Sequence, residues 1–503
     1  MKRQPKRLLG ALLLGAASVA AFAPLAWFAL IWLTLGGLFA LLVSARSPRE
    51  GALLGAAFGF GLFIGGVSWV YVSLSVFGGM MAPIAALATV LFCAVLSIYP
   101  AFAGALYVRF SPSRWWQRGV FFAALWTLGE WLRGWVFTGF PWLAVGYAQV
   151  PESPLAGYAP LVGVFGVSLV TVLLATLLNE ALSRWRARKR GSPLPQNLGQ
   201  LAGPLSAALL LLTAGALLRP LQWTSPVGDP LSVSLLQGNI AQDIKWSPEG
   251  FEESLRSYYR LALRNPAQLI VLPEAAFPVF LDQLPEGYLD ELAKISERQH
   301  GDLLFGIVTG DMSEYANSAI SLGASPEQRY SKSHLVPFGE FVPPGFSWFL
   351  SLADIPMSGF TPGALKQPPM DIAGQKIAVN ICYEDAFGEE IIRALPDATL
   401  LANLSNVAWF GDSLAPAQHL QIAQMRALET GRMMLRATNT GMTAVVGADG
   451  KVQGVLPPFT RGALRGEVQG YTGVTPYARW GNWLTIVAAL LLAAFFGRRN
   501  TVS

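Results

Sequence analysis

The first 219 residues contain almost no carboxylates, and this constrains the fold more than any other feature of the chain. Only four of the 31 Asp and Glu residues lie there, at Glu50, Glu130, Glu152 and Glu180. The whole chain is 53% hydrophobic and only 13% charged, whereas soluble domains carry about 25% charged residues. The N-terminal part is therefore predicted to lie in a membrane, with a domain boundary near residue 220.

Seven apolar stretches precede that boundary, and each is long enough, or nearly so, to cross about 30 Å of hydrocarbon. An eighth apolar stretch lies close to the C-terminus. We predict a bundle of seven transmembrane helices in 1–219, a globular domain in 220–480, and a last transmembrane helix with its tail in 481–503. The predicted helices cover 8–23, 25–44, 51–77, 80–108, 119–138, 159–183, 203–219 and 483–496.

Lys and Arg residues in the short loops indicate the orientation, because such loops stay on the cytoplasmic side. With eight spans, every basic segment falls on one side of the membrane. Both termini are therefore predicted to be cytoplasmic, and the globular domain is predicted to lie on the opposite side. The basic segments contain Lys2, Arg3, Lys6, Arg7, Arg46, Arg49, Arg109, Arg114, Arg118, Arg184, Arg186, Arg188, Lys189, Arg190, Arg498 and Arg499.

Two features of the helical part each allow two interpretations. Residues 1–23 resemble a signal peptide that ends in Ala-Phe-Ala, although Pro24 directly after it disfavours cleavage and favours a retained first helix. Glu130 and Arg133 lie three residues apart on one predicted helical face. They form either a structural pair that fixes helix packing or a site that recognises a lipid headgroup.

Beyond residue 231 short aliphatic runs alternate with amphipathic stretches, a pattern typical of an α/β domain. The predicted strands cover 232–237, 268–272, 302–308, 318–322, 376–381, 399–404 and 442–446. The predicted helices cover 248–263, 284–300, 386–394 and 415–431.

Two of the predicted strands end in reactive residues, Glu274 and Cys382, and Lys332 lies between them in the chain. A carboxylate can act as general base for a thiol, and an ammonium group can stabilise the thiolate and a later oxyanion. Each of these residues alone is more often structural, but the combination favours nucleophilic catalysis by Cys382. A helix predicted after Cys382, with Asp385 as its N-cap, is expected to lower the pKa of the thiol.

Three short motifs resemble the signatures of the nitrilase superfamily: Leu-Pro-Glu274, the stretch from Lys332 to Glu340, and Cys382-Tyr-Glu-Asp. Together with the membrane helices, they make the chain similar over essentially its whole length to the apolipoprotein N-acyltransferases of bacterial inner membranes. Val407 and Leu272 stand where that family is expected to have Asp and Trp. Supporting stretches are 129–135, 138–142, 237–240, 245–246, 405–412 and 424–432.

The resemblance implies a four-layer α-β-β-α sandwich with a Glu274–Lys332–Cys382 triad. It implies that Glu340 and Glu384 orient Lys332 and the oxyanion donors, and we expect Tyr383 to shape the oxyanion pocket. His334 as the partner of Cys382 is a minor alternative to Glu274.

The resemblance also implies a two-step reaction in the inner membrane, with the catalytic domain on the periplasmic side. Cys382 accepts an acyl chain from a phospholipid, phosphatidylethanolamine, as a thioester. The chain then passes to the N-terminal amine of a diacylglyceryl-cysteine on an apolipoprotein, the last step of lipoprotein maturation.

Residues 341–360 form an apolar connecting stretch, which is typical of a segment that contacts lipid or ligand. We predict a mobile arm that enters the outer leaflet and covers the site; the alternative is a fixed anchor that docks the domain on its own helices. The candidate substrate-binding or gating residues are Trp246, Phe341, Trp348, Phe349, Trp409 and Phe410.

Two other functions are considered. A membrane-tethered amidase would account for the triad but not for the helices or the arm, and a transporter or receptor would not need the triad. Many of the basic residues lie in short loops and they are not gathered on a soluble face, so no nucleic-acid partner is expected. The sequence contains no metal-ligand cluster, phosphate loop or dinucleotide motif, so no cofactor is expected.

Overall fold

A computed structural model of the chain describes residues 4–189, 199–346 and 359–497. It divides into two compact units. The first comprises residues 1–68, 86–221 and 480–503, and the second comprises 69–85 and 222–479. Residues 69–85 thus belong to the second unit, although they lie between helices of the first in the sequence.

Helices account for nearly all regular structure of the first unit, as its apolar sequence predicts. Small residues let these helices approach closely: a Cβ atom added at Gly55 would overlap the carbonyl of Pro100, and one at Gly61 would overlap that of Leu12. Within the described residues the α-helices are α1 (Gln4–Ser18), α2 (Leu30–Val43), α3 (Pro48–Gly66), α4 (Val70–Val72), α5 (Ala82–Leu96), α6 (Ile98–Phe110), α7 (Trp115–Arg133), α8 (Ala159–Lys189), α9 (Gly199–Leu218), α10 (Pro248–Arg264), α11 (Tyr288–Glu297), α12 (Gly388–Ile391), α13 (Ala415–Thr430), α14 (Pro476–Trp480) and α15 (Trp483–Phe496).

Within the described residues, three helical segments are long and apolar enough to cross a membrane: 82–110, 154–187 and 201–218. A fourth candidate is bent by 56° between Pro48–Gly66 and Val70–Phe77. The predicted span 51–77 is therefore not one straight helix. Helices α2 and α15 are apolar but shorter than the other candidates.

Glu130 and Arg133 both bond to backbone groups of the segment that follows α7. Glu130 Oε1 accepts hydrogen bonds from Trp126 Nε1 and from the Val145 backbone N–H, both at 2.9 Å. Arg133 Nη1 donates to the carbonyl oxygens of Phe140 at 2.6 Å and Trp142 at 2.5 Å. Both side chains thus fasten the segment that follows α7 by bonding to its backbone groups.

The second unit contains two six-stranded sheets. The first has the order β12-β1-β2-β3-β4-β5 and the second β11-β10-β9-β8-β7-β6. The central pairs β1–β2, β2–β3, β7–β8 and β8–β9 are parallel, and the outer pairs are antiparallel. The strands are β1 (Thr224–Gln237), β2 (Leu269–Val271), β3 (Asp302–Gly310), β4 (Tyr315–Gly323), β5 (Gln328–Ser331), β6 (Met370–Ile372), β7 (Gln375–Ile381), β8 (Leu400–Ser405), β9 (Met434–Thr438), β10 (Ala444–Val446), β11 (Val452–Val455) and β12 (Gly462–Gly473).

Three apolar clusters define four layers. The largest joins the facing sides of the two sheets, with Val233 and Leu304 from one sheet and Val379 and Leu435 from the other. A second cluster packs α10 and α11 on the outer face of the first sheet. A third packs α13 on the outer face of the second sheet. The predicted α-β-β-α arrangement is therefore present, with helices on both outer faces and the main core between the sheets.

Candidate active site

Glu274 lies just beyond β2, at the carboxyl end of a buried parallel strand. Gly306 on β3 allows this close approach, since a Cβ atom there would lie 2.7 Å from the Cα atom of Glu274. Glu274 Oε1 accepts a hydrogen bond from Asn317 Nδ2 at 2.8 Å, and Oε2 accepts one from the Asn406 backbone N–H at 2.7 Å. These donors fix the carboxylate at the edge where substrates reach parallel sheets.

Lys332 directly follows β5 and is 1% exposed. Its Nζ atom lies 2.8 Å from Glu340 Oε2 and 3.5 Å from Glu274 Oε1. Burial opposes the charge of the ammonium group, but Glu340 and Glu274 outweigh it and raise the pKa of Lys332. The site therefore contains a permanent cation between two carboxylates.

Asn317, on β4, connects those two carboxylates. Its Nδ2 atom donates to Glu274 Oε1 at 2.8 Å and to Glu340 Oε1 at 2.9 Å. Burial raises the pKa of Glu274, but Lys332 and the hydrogen bonds from Asn317 and Asn406 overcome that effect and hold the pKa below its ordinary value. Glu274 is consequently ionised and able to accept a proton.

Cys382 follows the last residue of β7 and is a free, buried thiol. It interacts electrostatically with both Glu274 and Lys332, so the structure brings the three predicted residues together. Burial and the charge of Glu274 raise the pKa of the Cys382 thiol. The expectation of a lowered pKa was wrong, because removal of water outweighs the nearby cation.

Asp385 is not the cap of a helix after Cys382. Residues Cys382–Ala386 form a short 3-10 turn, and Phe387 precedes the four-residue helix α12. The carboxylate of Asp385 instead bonds to the side chains of His419 and Arg436.

Glu384 supports the loop that carries Lys332. Its Oε1 atom accepts the backbone N–H groups of Ser333 at 2.8 Å and His334 at 3.1 Å, and its Oε2 atom accepts that of Ile381 at 2.7 Å. The Tyr330 hydroxyl donates to the same carboxylate at 2.9 Å. Glu384 thus joins the strand that leads to Cys382 to the segment around Lys332.

His334 and Tyr383 lie beside this carboxylate. The His334 ring stacks on Phe387 with centroids 3.7 Å apart, and its Nδ1 atom lies 3.1 Å from Glu390 Oε1. The Tyr383 ring packs against the rings of both His334 and Phe387. His334 is therefore engaged with Glu390 and Phe387.

Lys245 is a charged residue close to Glu274, and its only sequence signal was the family stretch 245–246. It is 1% exposed, and its Nζ atom has no hydrogen-bond partner among the described residues. Burial lowers the pKa of Lys245 to about 8, while the charge of Glu274 acts in the opposite direction. The neighbouring Trp246 is half-buried.

The predicted gating residues have different surroundings. Phe341 is half-buried and its carbonyl accepts the Phe338 backbone N–H at 2.8 Å. Trp348 and Phe349 lie outside the described residues. The ring of Phe410 packs on Trp69 at a centroid distance of 4.6 Å, and that of Trp409 packs on Phe77 at 6.3 Å.

Asn317 and Asn406 were not predicted to contact Glu274. Asn406 lies in a stretch quoted above for its family resemblance, and this was the only signal for it. Nothing in the sequence pointed to Asn317, because an Asn in a polar strand is common. Within residues 4–189, 199–346 and 359–497, no group of three His, Cys, Asp or Glu side chains could hold a metal ion.

Two sequence families match separate parts of the chain. Residues 14–177 match the "Apolipoprotein N-acyltransferase N-terminal domain", and residues 232–477 match "Carbon-nitrogen hydrolase". The second match confirms the predicted nitrilase-like fold of the domain that contains Glu274, Lys332 and Cys382.

Curated relatives match along the full length. An apolipoprotein N-acyltransferase of Nitrosomonas europaea is 48% identical over 508 residues, which cover 99% of each chain. One of Chromobacterium violaceum is 47% identical over 98% of this chain and 94% of its own. One of Ralstonia nicotianae is 46% identical over 97% of this chain and 93% of its own.

Proposed function

The chain belongs to the apolipoprotein N-acyltransferase family, and from that membership we propose that it acylates the N-terminal diacylglyceryl-cysteine of apolipoproteins through a thioester on Cys382. The acyl donor is a phospholipid, with phosphatidylethanolamine as the proposed species. The observation that carries the proposal is the buried cluster in which Lys332 contacts Glu274 and Glu340 beside the thiol.

In the first step the Cys382 sulfur attacks the ester carbonyl while Glu274 takes the thiol proton. Glu274 suits this role because it is ionised while the thiol is not. Lys332 stabilises the negative charge that develops on the carbonyl oxygen, together with backbone N–H groups after Cys382. The carbon–oxygen bond then breaks, and Glu274 returns the proton to the departing glycerol oxygen.

In the second step the amine of the acceptor attacks the thioester. Glu274 takes a proton from the attacking nitrogen, the carbon–sulfur bond breaks, and the same proton restores the thiol of Cys382. The amide product carries three acyl chains. One residue therefore serves as base and acid in both halves of the reaction.

The proposed roles of the neighbouring residues follow from their contacts. Glu340 orients Lys332 through the ion pair at 2.8 Å. Glu384 holds the backbone on both sides of the site. Tyr383 shapes the oxyanion pocket through its position directly after the nucleophile.

We propose eight membrane spans, cytoplasmic termini and a periplasmic catalytic domain in the inner membrane. The apolar helices of the first unit support this proposal, since Leu209 and Leu210 are 65% and 68% exposed and such side chains are suited to lipid. The distribution of Lys and Arg supports the orientation.

The aromatic residues Trp246, Phe341, Trp409 and Phe410 are proposed to shield the thioester from water until the amine arrives. Trp348 and Phe349 are included in this proposal on the basis of the sequence alone.

Deletion of the tip of the 341–360 arm tests whether the arm is a lid or a fixed anchor. Loss of an anchor lowers stability but leaves acylation of Cys382 by a short soluble ester unchanged.

The experiment that tests the reaction is intact mass spectrometry of the full-length protein in detergent after incubation with phosphatidylethanolamine. We expect an added acyl mass that a diacylglyceryl-cysteine peptide removes. Cys382→Ala should show no adduct, and Cys93→Ala, which changes the other cysteine, should retain it. Absence of the adduct in enzyme that transfers acyl chains would refute the thioester route.

A membrane-bound amidase is distinguished by its substrates. An amidase hydrolyses small amides in water, whereas the proposed enzyme requires a phospholipid and an amine acceptor.

A further inference from the structure

The main chain of Cys382 has a conformation that residues other than glycine rarely adopt. Its φ angle is +52°, in the left-handed region. A non-glycine residue there costs on the order of 1–2 kcal/mol, and such strain persists only where the surroundings hold it. Some group must therefore fix the backbone at this position.

Two buried side chains bond to the carbonyl oxygen of Cys382. Asn403 Nδ2, from β8, donates to it at 3.0 Å, and His419 Nε2, from α13, lies 3.3 Å from it. The same His419 nitrogen lies 2.7 Å from Asp385 Oδ1. Because both oxygens are acceptors, Nε2 of His419 carries the hydrogen.

An ion pair holds both of these donors. Arg436 Nη1, from β9, donates to Asp385 Oδ2 at 3.1 Å and to Asn403 Oδ1 at 2.7 Å. Asp385 in turn orients the ring of His419. Burial and the charge of Arg436 lower the pKa of His419, which is therefore neutral.

The four side chains Asp385, Asn403, His419 and Arg436 form one cluster, and each is at most 1% exposed. Buried ion pairs contribute little net stability, because the cost of removing water offsets their attraction. A second buried pair, Arg426 with Glu429 at 2.9 Å, lies in the same unit. That pair joins two residues three positions apart on α13, so it provides a matched control.

We propose that Asn403 and His419, held in place by Asp385 and Arg436, are positioning residues that fix the main chain of Cys382 and thereby aim its thiol for attack. The inference rests on the proposed role of Cys382 as nucleophile. It extends that role from the triad to a set of side chains that hold the carbonyl group of Cys382. None of the four needs to touch a substrate.

The test uses the full-length protein in detergent and compares Asn403→Leu with Glu429→Gln. Asn403→Leu keeps the side-chain volume and removes the donor to Cys382. The rate of acyl-enzyme formation and the melting temperature are measured for both variants. The rate of alkylation of Cys382 by iodoacetamide is measured in a Cys93→Ala background, so that only one thiol reacts.

We expect Asn403→Leu to slow acyl-enzyme formation about 100-fold, because a small misplacement of a reacting group has effects of that size. Glu429→Gln should slow it less than about threefold, even where the loss of melting temperature is equal. Equal slowing in both variants at equal melting temperature would overturn the proposal, and so would a wild-type rate in Asn403→Leu.

A second pair of variants, at His419, tests the same proposal even where Asn403→Leu does not fold. His419→Gln keeps an N–H donor near the position of Nε2, whereas His419→Leu removes it. The proposal requires the Gln variant to react at least about tenfold faster than the Leu variant, an effect of about 1.4 kcal/mol on the barrier; equal rates contradict it. If the wild-type protein forms no acyl-enzyme, the proposed function fails, and the alkylation rates still test the positioning.

Discussion

Replacement of Lys245 by Met is expected to stabilise the catalytic domain at neutral pH. The Lys245 ammonium is buried without a hydrogen-bond partner among the described residues, and Glu274 compensates only part of the cost. Met has a similar length and carries no charge. The variant therefore removes the cost of burying a cation and leaves the packing nearly unchanged.

The magnitude follows from the pKa of Lys245, which burial lowers from 10.5 to about 8. That difference corresponds to about 3 kcal/mol. Below pH 8 both folded and unfolded chains are protonated, and the folded wild type carries the full cost. Between pH 8 and 10.5 the unfolded chain binds more protons than the folded one, so the wild type gains stability as the pH rises.

The assay is thermal unfolding of the full-length protein in detergent between pH 7 and pH 10.5. At pH 7 the Lys245→Met variant should melt about 5–10 °C above the wild type, and the gap should close toward pH 10.5. Lys294→Met serves as control, because Lys294 is half-exposed and paired with Glu291. The reasoning would be refuted if the variant and the wild type melted at the same temperature at pH 7, or if their difference in melting temperature stayed constant with pH.

The same substitution should reduce activity. The charge of Lys245 favours the ionised form of Glu274, which is the form proposed to accept the thiol proton. Its loss should move the acidic limb of the rate of acyl-enzyme formation to higher pH. Stability and activity are thus expected to change in opposite directions, as measured by single-turnover mass spectrometry on the same preparation.

Three further outcomes are expected. Glu274→Gln should slow acyl-enzyme formation by about 10²–10⁴, the usual effect of a lost general base, in the intact-mass assay. Asn317→Leu should slow it about 10-fold or more, because the donor shared by Glu274 and Glu340 is removed at a cost of about 1–3 kcal/mol; a wild-type rate would contradict the bridging role. Cys382→Gly should melt at or above the temperature of Cys382→Ala, because glycine adopts the left-handed conformation without strain; a lower value would show that the backbone is not strained.

The sequence predicted the central strands of the second unit except β9, and it missed the outer strands except β4 and β10. Strands such as β3 and β7 are continuous apolar runs, because they are buried between neighbouring strands. Strand β12 contains several glycines and charged residues and forms by pairing with β1, a contact that no local pattern reveals. Strand β9 was missed because buried Arg436 interrupts its apolar run.

Glu274, Lys332 and Cys382 could be chosen as candidates because each follows a recognisable stretch of sequence. The groups that surround them could not, because they come from distant strands and helices. Asp385, His419 and Arg436 meet only after β7, α13 and β9 have packed together. The pKa of the thiol could not be predicted either, since it depends on burial.

The short turn from Asn406 to Phe410 connects Glu274 to the N-terminal segment of the second unit. Its first residue donates a backbone N–H to the carboxylate of Glu274, and its last two residues pack on Trp69 and Phe77. The 3-10 turn between these contacts spans only four residues. A change in the aromatic contacts is therefore expected to alter the orientation of the Glu274 carboxylate.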